Sequence, residues 1–214
     1  MNFDIKGEKI DIRAAGIISK LLEEKNSQLL ALKNCFLSSE SLKSIMSSAL
    51  WKSKTRCLVI HNCRLGFDAL SSHLNYNYSH LPGKVEEQDG GKEKKLKRRK
   101  FDGKKIQKEI SEGTGKGRDD QENEQNVVND NLSLLDVSFN NLDSYDIKQL
   151  SILIKSLKNL KVLVLDGNKI ALKDLQILLG SVQSHSSMHH ISLSDCGLTD
   201  ECMEYINFCF KMNR

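Results

Sequence analysis

Leu135-Asp136-Val137-Ser138-Phe139-Asn140-Asn141-Leu142 and Leu163-Val164-Leu165-Asp166-Gly167-Asn168-Lys169-Ile170 decide the fold, because both follow the pattern L-x-L-x-x-N-x-L. Ile191-Ser192-Leu193-Ser194-Asp195-Cys196-Gly197-Leu198 repeats it with Cys in the Asn place. The copies start at 135, 163 and 191, a period of 28, and an apolar residue stands three positions before each: Leu132, Leu160 and Met188. Two earlier copies keep the same spacing, Leu30-Ala31-Leu32-Lys33-Asn34-Cys35-Phe36-Leu37 and Leu58-Val59-Ile60-His61-Asn62-Cys63-Arg64-Leu65. Leu58 and Leu135 are 77 residues apart, so about 49 residues interrupt an otherwise regular array.

The second half of each unit keeps the period too. Ala14, Leu42, Leu70, Ile147, Leu175 and Met203 fall in one column, and Ile17, Ile45, His73, Leu150, Leu178 and Ile206 in the next. Apolar residues at i, i+3, i+4 and i+7, as in Leu42, Ile45, Met46 and Ala49, predict one buried face of a helix. Asp143-Ser144-Tyr145-Asp146 and Thr199-Asp200-Glu201 read as helix N-caps with acidic first turns. Phe3, Ile5 and Ile10 suggest a degenerate first strand one residue short of the period, with Glu8 where Asn or Cys is expected.

In L-x-L both leucines point to one side of a strand, toward a helix layer. The following Asn can bond backbone groups of neighbouring turns, and Cys can fill the same small site. No such unit buries its apolar face alone, but stacked units share a continuous core. Five copies at one spacing, covering about 165 residues, resemble leucine-rich repeat proteins of the ribonuclease-inhibitor-like subclass. The resemblance implies an α/β fold: a curved solenoid with a parallel concave sheet and convex helices, interrupted by a disordered charged insertion. The expected organisation is residues 1–80 as N-terminal repeats, 81–130 as the insertion and 131–214 as C-terminal repeats.

The residues between the pattern leucines form columns on the concave side. These are Ala31, Val59, Asp136, Val164 and Ser192, then Lys33, His61, Ser138, Asp166 and Ser194, then Asn34, Asn62, Phe139, Gly167 and Asp195. The face reads weakly basic at its N-terminal end and acidic at its C-terminal end. Phe139 is its large aromatic, and aromatic side chains are favoured interface anchors. A protein partner is therefore expected at Val59, His61, Asp136, Phe139, Val164 and Asp166.

Residues 82–130 hold 13 Lys or Arg, 12 Asp or Glu and 7 of the chain's 13 glycines, with few, aperiodic apolar residues. Such a segment buries too little surface to offset the entropy of ordering it, which predicts disorder. Its tightest cluster is Lys94-Lys95-Leu96-Lys97-Arg98-Arg99-Lys100. A basic cluster of this kind fits nuclear import by a receptor bound at Lys94, Lys95, Lys97, Arg98, Arg99 and Lys100, with nucleic acid as the weaker partner. The nucleus is the expected location and the cytoplasm its alternative.

The chain has 214 residues, 39% of them hydrophobic, a formal charge of +4 and one proline, Pro82. It shows no apolar run of about 18 residues and no signal-peptide core at Met1-Asn2-Phe3-Asp4, so no membrane contact is expected. The six cysteines read as reduced. Cys57, His61 and Cys63 lack a fourth zinc ligand at a usual spacing, and Gly113-Thr114-Gly115-Lys116-Gly117 lacks phosphate-loop spacing, so neither metal nor cofactor is expected. With no catalytic constellation in view, the expected function is a non-catalytic protein-interaction scaffold. Resemblance of repeat type leaves two alternatives. One is a GTPase activator of the Ran-activating kind. The other is the repeat region of a Tonsoku-like nuclear genome-maintenance protein, since the array ends at Arg214 directly after a helix.

Overall fold

The structure is a computed structural model that describes residues 1–64, 129–183 and 185–212. The import residues Lys94 to Lys100, the rest of the insertion up to residue 128, and Leu65, Leu70 and His73 lie outside the described residues. The chain is α/β. Strands β1 (Asn2–Lys6), β3 (Leu29–Lys33), β5 (Cys57–His61), β6 (Leu134–Asp136), β7 (Val162–Val164) and β8 (His190–Ser192) form one parallel sheet in that order. Two short strands, β2 (Lys9–Ile10) and β4 (Phe36–Leu37), pair separately. The helices are α1 (Ile12–Glu24), α2 (Ser39–Ser47, continued by a π-helical turn over Ser48–Lys52), α3 (Ser144–Ser156), α4 (Leu172–Gln183) and α5 (Asp200–Met212).

The sequence period becomes the sheet register. Leu30 pairs with Leu58, Leu135 with Leu163 and Leu163 with Ile191. Leu58 and Leu135, on either side of the insertion, are cross-strand partners. Leu30, Leu32, Leu58, Ile60, Leu135 and Leu163 are fully buried and join the helix leucines in one core; burial alternates along β5, β6 and β7, whereas in β3 the small side chain of Ala31, expected on the open face, is buried too. Each such side chain contributes about 1.5–3 kcal/mol by leaving water.

Helix starts follow local chemistry. Asp11 accepts the Ala14 amide at 2.8 Å and Ser38 accepts that of Ser41 at 3.1 Å. Asp143 and Asp146 form a reciprocal capping box, with bonds of 2.8 and 3.2 Å. At Thr199 it is the backbone carbonyl that accepts, from the Met203 amide at 3.1 Å.

Two helical columns differ from the expectation. Phe3 pairs with Leu30, so β1 is one residue short of the period as expected, but the offset runs through α1 as well. That helix buries Ala15, Ile18 and Leu22, while Ile17 is 62% exposed and Ala14 only partly buried. The missing residue therefore lies in the α1–β3 turn, where Asn26 adopts φ 47°. In α5, Cys202 and Cys209 are buried and Met203 is 54% exposed. Asp174 and Ser181, one period before these cysteines, are buried in α4 as well, so the helix keeps its facing; no strand–helix pair among the described residues lies beyond it to cover Met203.

Candidate functional site: the open face of the sheet

The helices pack against the leucine side of the sheet, so the alternate residues form its other face. Val59, Asp136 and Val164 are consecutive cross-strand partners there, each half-buried. His61, Asp166 and Phe139 lie at the C-terminal ends of the same three strands. The structure thus brings all six expected partner-binding residues onto one patch. A further outward column extends it: Leu29, Cys57, Leu134 and Val162 are aligned in register and half-buried. Its signal, an apolar residue directly before four of the five copies (His190 precedes the last), was present in the sequence but stands outside the pattern.

The column after the strands has its own backbone geometry. Gly7, Asn34, Asn62, Phe139, Gly167 and Asp195 all take left-handed φ angles, between 50 and 69°. Glycine, asparagine and aspartate tolerate this region, whereas a bulky residue there costs about 1–2 kcal/mol. Phe139, at φ 57°, is the exception. Its amide donates to the Asp166 carbonyl at 2.8 Å. Its ring leans over the next turn and occupies the space a Cβ on Gly167 would need. On its other side it meets His61, with ring centroids 5.1 Å apart and planes tilted by 53°. Even so, Phe139 stays 45% exposed. Gly167 is required here twice, for its φ of 68° and for the ring above it.

The two acids of the patch are held alike. Asp136 Oδ1 accepts the Ser138 amide at 2.9 Å and also the Ser138 hydroxyl. Asp166 Oδ1 accepts the Ser192 hydroxyl at 2.6 Å and the Ser194 amide at 2.8 Å, tying β7 to β8. Among the described residues neither Oδ2 has a hydrogen-bond or ion-pair partner. The sequence showed these acids as surface charges; their role in fastening adjacent turns becomes visible only in three dimensions. At the other end of the face Asp4 pairs with Lys6 at 3.4 Å and Lys33 at 3.6 Å.

Beneath the patch runs a buried polar ladder through Cys35, Cys63, Asn140, Asn168 and Cys196. Asn140 Oδ1 accepts the Cys63 amide at 2.9 Å, and Asn168 Oδ1 accepts the amides of Asn140 at 3.1 Å and Leu142 at 3.2 Å. Asn168 Nδ2 donates to the carbonyls of Leu165 at 2.8 Å and Val137 at 3.1 Å. The cysteines repeat this weakly: the Cys63 thiol donates to the Leu32 carbonyl at 3.4 Å and accepts the Cys35 amide at 3.4 Å. Burial pushes the Cys63 thiol up to about 11 and raises that of Cys196, so both are protonated and poor nucleophiles at neutral pH.

Among the described residues no group of three or more His, Cys, Asp or Glu is placed to hold a metal ion. No described helix is long and apolar enough to cross a membrane. A groove of about 670 Å³ opens between the N-terminal strand-to-helix turns, with Lys9, Asp11, Phe36, Glu40 and Arg64 on its walls. Its walls mix acids and bases. The chain matches no protein-family model, and no curated protein matches it.

Proposed function

We propose that this chain is a non-catalytic leucine-rich repeat scaffold, a curved solenoid that binds a protein partner on the concave, open face of its sheet and works in the nucleus. The observation that carries the binding reading is Phe139. A large apolar ring is kept half-exposed on a left-handed backbone, over a glycine that leaves it room and against His61. The turn takes this backbone in every unit, so the unusual feature is the residue: a phenylalanine stands where glycine, asparagine or aspartate stands elsewhere, and its ring remains partly in water. The register-aligned apolar columns beside it supply further area from which water can be displaced.

The test is quantitative capture of partners from cell extract by the intact chain and by a set of variants, Phe139→Ala, Asp136→Lys and Asp166→Lys. Circular dichroism and urea midpoints verify that each variant is folded. Partners lost with Phe139→Ala and with either reversal support the reading; capture unchanged across the set refutes it. The nuclear part rests on Lys94, Lys95, Lys97, Arg98, Arg99 and Lys100. Residues 84–108 fused to a cytosolic reporter should carry it into the nucleus, and a reporter that stays in the cytoplasm removes that part alone.

A further inference from the structure

We infer that the partner segment taken up by this face carries a lysine or arginine beside apolar residues, and that Phe139, Asp136 and Asp166 together receive the basic side chain. The inference rests on the binding-face reading above and adds the chemistry of the partner.

The argument begins with what covering Phe139 would do to its neighbours. Asp136 ends β6 and pairs with Val164, two residues before Asp166, and Asp166 directly precedes Gly167, over which the ring lies. Each has one carboxylate oxygen fixed by two donors of the chain. Their second oxygens have no partners among the described residues, and both residues are half-buried. A wholly apolar segment laid over the ring would strip water from two charges and offer nothing in return, which is strongly unfavourable. An acidic segment or a nucleic-acid backbone would add repulsion. A basic side chain answers both demands. Its charge pairs with the free carboxylate oxygens, and a guanidinium can also stack on an aromatic ring. Because Oδ1 of each acid is already tied down, the two carboxylates are oriented before the partner arrives, so little side-chain entropy remains to be lost.

The face also sets an orientation. Val59, Val164, Leu134 and Val162 offer apolar contact, and the acids lie at the end of β6 and just beyond β7. At the β1–β3 end, Asp4 is already shared by two lysines. An apolar stretch of the partner therefore lies over β5 to β7, with its basic residue at the C-terminal ends of β6 and β7.

Random linear dodecapeptides displayed on phage and selected on the intact chain test this, with each round depleted on the Phe139→Ala chain. The depletion removes peptides drawn to other sites, including acidic ones attracted by the Lys94–Lys100 cluster. The survivors are synthesised and titrated by fluorescence anisotropy against the parent chain and against a double variant, Asp136→Asn with Asp166→Asn. Asparagine keeps an Oδ1 for the serine donors, so the variant retains the local fold while losing both charges. The expected survivors carry Arg or Lys next to apolar residues. They should bind the double variant about ten- to a hundred-fold more weakly, and weaken as salt is raised. Survivors that lack a basic residue, or bind the double variant equally well, overturn the basic-partner inference and leave the binding face standing. If no peptide survives the depletion, both readings fall.

Discussion

Gly167→Ala puts the reading of the Phe139 turn to the most direct test. The added methyl meets two separate obstacles. It must sit on a left-handed backbone, at φ 68°, and it must occupy space filled by the Phe139 ring. The first costs about 1–2 kcal/mol, reduced by roughly 0.4–1 kcal/mol because alanine is stiffer than glycine in the unfolded chain. The second is relieved if the ring swings away, which sacrifices the His61 contact, worth about 0.5–1.5 kcal/mol. The ring is 45% exposed, so it also gives up about half of a buried phenylalanine's transfer energy, roughly 1 kcal/mol. Gly167→Ala should therefore destabilise by about 2–3 kcal/mol in the parent chain but by only about 0.5–1 kcal/mol in a Phe139→Ala background, where the backbone term alone remains. The difference, about 1.5–2 kcal/mol, is a coupling energy read from a double-mutant cycle of urea midpoints at unchanged slope. Costs that add to within about 0.5 kcal/mol would show that the ring does not rest on Gly167, and the preorganised anchor would be lost as an explanation.

Three further outcomes follow from the same geometry. Asn168→Leu removes the acceptor of two buried amides and should lower stability by about 2–4 kcal/mol. Asn168→Cys should cost roughly half as much, because cysteine already fills this column at 35, 63 and 196; thermal denaturation of the two variants decides. Asp143→Ala removes the capping box of α3 and should cost about 1 kcal/mol, measured by urea unfolding. Burial raises the Cys63 thiol from 9.0 to about 11, so the unfolded chain releases this proton first as pH climbs. Its stabilising contribution is intact below pH 9 and is lost between about 9 and 11, and a Cys63→Ala chain should show a shallower fall in its urea midpoint over that window.

The strands and their partners were legible because one period governs both. Residues such as Leu135 and Leu163, 28 apart in the chain, become neighbours in space, so counting along the sequence amounted to counting across the sheet. The helical columns were less secure. The residue missing from the first unit lies in the turn around Asn26, which carries no pattern of its own, so counting from the N-terminus placed Ala14 and Ile17 one step from the buried face. The left-handed column was half legible: Asn34, Asn62, Gly167 and Asp195 are the residue types that accept such a backbone, and Phe139 hid the rule. The fastening bonds of Asp136 and Asp166 were not legible, because the latter's partners, Ser192 and Ser194, stand 26 and 28 residues away.

The buried ladder gives the sheet a direction. Each of its side chains satisfies backbone groups of the unit before it: Asn140 serves the Cys63 amide, and Asn168 serves Asn140 and Leu142. Damage at one rung is thus felt by its N-terminal neighbour as well as by the unit that carries it. A lesion at Asn168 loosens the turn that displays Phe139, and a lesion at Asn140 loosens the turn that follows His61. The patch depends in this way on side chains that never reach the surface, each set one strand downstream of what it holds.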